Sequence, residues 1–219
     1  MFSRIARRYD FNNRLHSLAR DQAWRRTAAR AARITPGERV LDVACGTGDL
    51  TAMLARKGAR VTGLDSCDDM LAVARRKCRK LDVQWVVADA RELPFEAASF
   101  DVVTIAFGVR NIVGPRAALA QFARVLRPGG RLVVLEFHPD VRDSLAGRCL
   151  SWFVGNIMSR TAGYLAGDRQ GAYDYLHKSV QSFLSAAELA DAIAGQGFVD
   201  VTTRPLALGL AAVHCGRRP

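Results

Sequence analysis

The sequence predicts an α/β protein: a Rossmann-like, doubly wound, mostly parallel seven-stranded sheet with an antiparallel terminal strand and a helical substrate cover. Three observations predict it. Apolar, strand-like runs alternate with helix-like segments from residue 39 to residue 137, the rhythm of βαβ units. The stretch Arg39-Val-Leu-Asp-Val-Ala-Cys-Gly-Thr-Gly-Asp-Leu50 passes from an apolar strand through a glycine loop into a helix start, as at the first strand of a nucleotide-binding sheet. Carboxylates stand at or just past the ends of the first three strands, at Asp42, Asp65 and Asp89.

Taken in order, residues 3–33 read as helical. Leu15, Leu18, Ala19, Ala23 and Trp24 form a weak apolar stripe, and Arg25, Arg26, Arg30 and Arg33 occupy polar positions. Ile34-Thr-Pro-Gly-Glu38 is a turn into the first strand. A helix follows from about Asp49 to Lys57, and Gly58–Asp65 is the second strand. The next helix spans about Asp68–Lys80 with Asp68 as its N-cap, and Val83–Val87 is the third strand. Phe100–Ala106 is the fourth strand and Pro115–Leu126 the helix after it. Arg127-Pro-Gly-Gly130 is a stop, and Arg131–Phe137 is the fifth strand. Residues 141–178 break the alternation with Leu150, Trp152, Phe153, Ile157, Met158, Tyr164 and Leu165, so 141–180 reads as an inserted cover beside the strand-carboxyl edge. A helix at Ala186–Gly195 and two strands, Phe198–Arg204 and Ala207–Cys215, close the chain as a hairpin at the sheet edge.

The whole of 1–219 reads as a single domain, at 49% apolar residues and balanced hydropathy. No run approaches a membrane-spanning helix, and the N-terminus lacks a secretory apolar core. Cys45, Cys67, Cys78, Cys149 and Cys215 are scattered, without metal-ligand spacing, which suits a reducing cytoplasm and no metal. Cys45, within the glycine loop, reads as a small apolar filler rather than a reactive thiol. The net charge of +11 suits RNA, an anionic membrane surface or solubility alone.

The loop selects a cofactor. A nicotinamide or flavin fingerprint needs a third glycine or alanine where Thr51 stands, and a P-loop needs Gly-Lys-Ser/Thr, which is absent. No Lys or Arg lies between Val40 and Leu54 to meet a pyrophosphate. Three carboxylates at successive strand ends suit a ligand with a ribose, an adenine and a positive centre. S-adenosylmethionine has all three, and S-adenosylhomocysteine is then the product. The cofactor site by this reading comprises Asp42, Ala44, Gly46, Thr47, Gly48, Asp65, Ser66, Met70, Asp89, Ala90 and Phe107.

The end of the fourth strand speaks to the substrate. Methyltransferases acting on exocyclic amines place Asn/Asp-Pro-Pro-Tyr/Phe there; this chain has Ile105-Ala-Phe-Gly-Val-Arg-Asn111, which argues against a nucleic-acid substrate. Arg110 and Asn111 offer a cation and an amide that could stabilise a developing phenolate or enolate, the activation that methyl transfer to carbon needs; a capping or salt-bridging loop is the plainer reading of that pair. His138, after the fifth strand, could remove a phenolic proton or be a surface histidine before Pro139. His16, His177 and His214 read as structural.

Phe107-Gly-Val-Arg-Asn111, together with Phe2-Ser-Arg-Ile-Ala-Arg-Arg-Tyr-Asp10, Asp42–Thr51, Leu93-Pro-Phe95, Arg124–Phe137, Tyr173-x-Tyr-Leu-x-x-Ser179 and Leu208–Gly216, resembles the ubiquinone/menaquinone-biosynthesis C-methyltransferase family over essentially the full chain. The resemblance implies methylation of a ring carbon on a reduced, prenylated quinone precursor of benzoquinol or demethylmenaquinol type. It implies that Tyr9, Arg110 and Asn111 line the reacting ring, and that Tyr175 and Ser179 contact substrate. It also implies a lipid-soluble aromatic partner, with room for peripheral contact with the inner face of the cytoplasmic membrane; no nucleic acid is expected, and the oligomeric state, a homodimer among the options, stays open. Departures from the family pattern cluster in the substrate half: Lys178 for Glu, Phe183-Leu for Phe/His-Pro, Leu206-Ala-Leu-Gly209 for Leu-Thr-x-Gly, and His138 for Ser. They leave a second reading open, a related methyltransferase acting on a soluble aromatic metabolite. A non-catalytic RNA-binding module on the same core is favoured by net charge alone.

Overall fold

A computed structural model describes residues 20–139 and 179–219. The described chain runs α1 (Arg20–Ala31), β1 (Arg39–Val43), α2 (Asp49–Ala55), β2 (Arg60–Asp65), α3 (Asp68–Lys77), β3 (Val83–Val87), β4 (Phe100–Ala106), a 3₁₀ turn at Val109–Asn111, α4 (Pro115–Val125), β5 (Leu126–Phe137), α5 (Ala186–Ala194), β6 (Val199–Leu206) and β7 (Ala211–Arg217). The seven strands lie in the order β3-β2-β1-β4-β5-β7-β6. All neighbours from β3 to β5 pair in parallel, and β7 alone runs antiparallel, against both β5 and β6. The strand order reverses between β1 and β4, which opens a crevice at their carboxyl ends.

Alternation along the strands builds a core on each face. Leu41, Val103, Ile105, Leu132 and Val134 pack with Leu119 and Phe122 of α4 and Leu189 and Ile193 of α5. Val40, Val61, Val102, Val133 and Leu135 pack with α1 and α2 through Trp24, Ala28, Leu50 and Leu54. Strand β4 is buried along its whole length, as expected of a central strand covered on both faces. A capping box starts α5: Glu188 N–H donates to Ser185 Oγ at 3.1 Å and Ser185 N–H to Glu188 Oε2 at 2.8 Å.

Several element boundaries move. Asp68 is the first residue of α3, and the cap position falls on Cys67, which makes no side-chain cap; its own N–H donates to Asp65 Oδ1 at 2.9 Å. The helices after β1 and β2 end at Ala55 and Lys77, short of Lys57 and Lys80. Arg127–Gly130 belongs to β5 as an irregularity in its pairing with β4. Strand β7 starts at Ala211, because Ala207–Gly209 forms a short 3₁₀ turn with Ala207 and Leu208 in the left-handed region. Arg25 lies on the inner face of α1 and is 8% exposed, not on a polar face. Asp21, Arg25, Ala28, Ala29 and Ala32 recur at helical spacing and turn toward the sheet together. The remainder of the expected N-terminal helix, the inserted cover of 141–178, Cys149, Tyr9 and Tyr175 lie outside the described residues.

Candidate active site

A cleft opens at the carboxyl ends of β1, β2, β3 and β4. Its floor is the loop after β1, with Ala44, Cys45, Gly46 and Thr47; Asp65 and Ser66 come from β2, Ala88–Arg91 from the segment after β3, and Phe107, Gly108 and Asn111 from the end of β4. Met70 of α3, Arg25 of α1 and Asp49 of α2 close the sides.

Two backbone features shape the floor. Gly48 caps α2 in the left-handed conformation at φ +80°, and a Cβ there would come within 3.1 Å of the Trp85 ring. Ala44 and Phe107 hold φ of +48° and +61° at the adjacent ends of β1 and β4. Positive φ at a residue as bulky as phenylalanine is strained backbone of the kind that concentrates at functional sites. Between them Gly108 must lack a side chain, since its Cβ would stand 2.7 Å from that of Ala44.

The three strand-end carboxylates take three different environments. Asp42 is 1% exposed and lies beneath the loop, outside the cleft lining. The Thr51 and Thr104 hydroxyls donate to its two oxygens at 2.6 and 2.7 Å, tying β1 to α2 and β4. Burial, outweighing these hydrogen bonds, lifts the Asp42 carboxyl to about 6. Asp65 is half-buried and faces the cleft. Its oxygens accept from Gly46 N–H at 2.8 Å and Cys67 N–H at 2.9 Å, and burial pushes its carboxyl up. Asp89 is exposed and clasped by the Arg91 fork at 2.7 to 3.1 Å, which holds it below the usual carboxylate range. The site is therefore less acidic than three free carboxylates would make it. Asp49 joins the lining but is engaged by Gln22 Nε2 at 2.8 Å and by the Lys77 ammonium.

Asp42 sets a pH dependence. Its folded pKa of about 6 exceeds the 3.8 of an ordinary aspartate. The stability it contributes is thus complete below 3.8 and is lost as pH rises through 6, by about 3 kcal/mol. Asp42→Asn is expected to remove that slope. Urea unfolding at pH 4 and pH 6.5 should show the variant gaining on the wild type by about that amount as pH rises; parallel curves would mean that folding leaves the Asp42 carboxyl unshifted.

Arg110 and Asn111 part company. Arg110 Nη1 donates to Glu136 Oε1 at 2.6 Å and to the Phe107 carbonyl at 2.8 Å, and its backbone N–H donates to Glu136 Oε2 at 3.2 Å. The side chains of this pair are 8% and 0% exposed. Arg110 lies behind the turn, whereas Asn111 lines the cleft. Phe107 stacks on Phe137 at 4.5 Å, Arg25 covers the Phe107 ring at 5.1 Å, and Arg110 covers Phe137 at 5.4 Å. Two guanidinium groups thus brace one aromatic pair.

His138 is 1% exposed and outside the cleft lining. Its Nδ1 lies 3.0 Å from the Leu184 carbonyl and its Nε2 2.9 Å from His214 Nε2, while His214 Nδ1 lies 2.9 Å from Thr203 Oγ1. A carbonyl only accepts, so with both rings neutral the directions follow. His138 Nδ1–H donates to Leu184, His214 Nε2–H donates to His138, and the Thr203 hydroxyl donates to His214. Burial, then the neighbouring His138, pushes His214 down to about 4, so it is neutral near pH 7. Ser179, half-buried at the boundary of the undescribed segment, is likewise outside the cleft lining. Sequence reasoning missed Arg25, Glu136 and Arg91 as partners of the site.

Sheet order, glycine loop and cleft together define the fold of the S-adenosylmethionine-dependent methyltransferases. The structure superposes on one such enzyme of Thermotoga maritima with a TM-score of 0.69 at 20% identity, covering 100% of this chain and 98% of that one. A second, from Aquifex aeolicus, gives 0.64 at 16% identity over 89% of each. Residues 1–218 match the ubiE/COQ5 methyltransferase family, and the chain belongs to it. Relatives include demethylmenaquinone methyltransferases of Thermus thermophilus, 45% identical over 100% of both chains, and of Clavibacter sepedonicus, 40% identical over 100% of this chain and 89% of that one.

Proposed function

We propose that this methyltransferase transfers a methyl group from S-adenosylmethionine to a ring carbon of a reduced, prenylated quinone precursor, of the demethylmenaquinol type on which its relatives' names agree. The observation that carries the reading is the juxtaposition of the Asp65 carboxylate, under the Gly46–Gly48 loop, with Asn111 across one continuous cleft.

The residues fit the donor. Asp65 presents acceptor oxygens at the end of β2, where ribose hydroxyls are held in this class of sheet. Met70, Leu64 and Ala90 give apolar walls beside the polar Asp89, suited to an adenine. When bound, the sulfonium group supplies an electrophilic methyl. The chain's part is to orient, to exclude water and to stabilise charge. A ring carbon becomes nucleophilic when an ortho hydroxyl loses its proton, and Asn111, facing the cleft, can donate to that oxygen. Arg110, tied to Glu136 and the Phe107 carbonyl, acts from behind by fixing the turn that presents Asn111. Tyr9, Tyr175 and Ser179 are proposed to complete the substrate side with the 141–180 segment.

A lipid tail and a membrane surface are consistent with the rim. Val113, next to the cleft, is 80% exposed, and Arg26, Arg30 and Arg33 are exposed on the outer side of α1 and its end, able to meet anionic headgroups. No helix among the described residues is long and apolar enough to cross a membrane.

The test is rescue of a bacterium lacking its quinone C-methyltransferase, with lipid quinones read by mass spectrometry. Restored menaquinone is the expected result, and restored ubiquinone would shift the ring assignment. Demethylated precursor alone, with soluble protein that binds the donor, would favour a soluble aromatic substrate.

A further inference from the structure

Arg25 is buried at the α1 side of the cleft, yet its Nε–H has no hydrogen-bond partner among the described residues. Its acidic neighbour Asp21 stays 4.0 Å away and accepts from Gln22 Nε2 at 3.1 Å. Asp49, also nearby, is engaged by Gln22 and Lys77. What positions Arg25 is the ring of Phe107, under its guanidinium at 5.1 Å. That ring is held by the strained backbone at the end of β4 and by stacking on Phe137. A buried guanidinium left with an unmade bond is costly, typically about 1–3 kcal/mol for the bare donor alone. That donor is out of reach of solvent, but Arg25 as a whole lines the cleft, so its cation can attract an anionic oxygen entering there.

Building on the donor reading above, we propose that Arg25 receives the carboxylate at the amino-acid end of S-adenosylmethionine and so fixes which way the donor lies. The cleft has a polarity that supports this assignment. From Asp89 beyond β3 to Phe107 beyond β4 is three strand spacings, about 14 Å, with the Asp65 carboxylate between them. A ligand whose ribose sits on Asp65 points its base toward Ala90 and its amino-acid tail across the glycine loop toward Arg25. The Arg91 cation, at the opposite end, is already bound by Asp89. Arg25 is a binding and orienting residue in this assignment: it makes no bond to the transferred methyl, and it discriminates by charge at the far end of the donor.

The test is calorimetric and needs no turnover. The full chain is titrated with S-adenosylhomocysteine and with S-adenosyl-3-thiopropylamine, the same molecule without its carboxylate. The wild type should prefer the first. Arg25→Met should weaken S-adenosylhomocysteine about 10- to 100-fold and leave the decarboxylated analogue unchanged, with Arg25→Lys between. The ratio of the two affinities within one variant is insensitive to a general loss of fold. A parallel fall for both ligands would make Arg25 merely structural. No change for either would overturn the assignment and leave an ionised substrate oxygen as the anion it serves. If the wild type binds neither ligand, the donor reading itself falls at the first arm.

Discussion

Glu136→Ala is expected to destabilise the fold by about 3–5 kcal/mol, read as a large drop in the midpoint of chemical unfolding at pH 7. The glutamate is fully buried at the end of β5 and accepts from the Arg110 side chain, the Arg110 backbone and Phe137 N–H. Removing it strands a guanidinium that is almost wholly out of water and already leaves its Nε–H without a partner among the described residues. The magnitude belongs to the broken pair, not to the intact one. Replacing both partners by apolar residues of similar size, as in Arg110→Met with Glu136→Leu, should therefore recover most of the loss. A single variant as stable as the wild type would mean that the turn at Val109–Asn111 is held by other contacts. The double variant, if folded, also isolates what Arg110 does for turnover from what it does for stability.

Asp65→Ala is expected to weaken S-adenosylhomocysteine by 100-fold or more, close to 3 kcal/mol, while lowering stability far less. The carboxylate serves twice. It offers acceptors to the cleft, and it holds the Gly46 and Cys67 amides that shape the loop and the start of α3. Both amides are near enough to water to recover a partner once it is gone, so binding suffers more than folding. Asp65→Asn, which keeps one acceptor oxygen, should fall between. Unchanged affinity for Asp65→Ala by calorimetry would take the residue out of the site.

How much of this was legible in the sequence depends on range. Val83–Val87 and Phe100–Ala106 have the boundaries their apolar patterns predict, because a buried strand is a local property of composition and length. The antiparallel close of the sheet was likewise readable from two strands joined by a short connection. The cleft's polarity was not. Asp42 is buried beneath the loop and engaged by Thr104, 62 positions away, and no local pattern announces such a partner. His138 meets His214 across 76 positions, which turns an apparent edge residue into a buried one. Arg25 was the nearest miss: it follows Trp24, which the apolar stripe rightly placed inward, but arginine is so seldom buried that its type outweighed its position.

The hydrogen bond from His138 to Leu184 joins the end of β5 to the segment entering α5, and so closes the base of the excursion between them. The ends of that excursion are fixed to the sheet whatever its contents. For a tethered loop the entropy of closure grows only with the logarithm of length, about 0.6 kcal/mol for each doubling. Residues can therefore be inserted, removed or exchanged between the two anchor points at little thermodynamic cost, with the donor-binding half left untouched. In evolutionary terms the histidine clasp uncouples the length of the chain between residues 138 and 184 from the stability of the sheet.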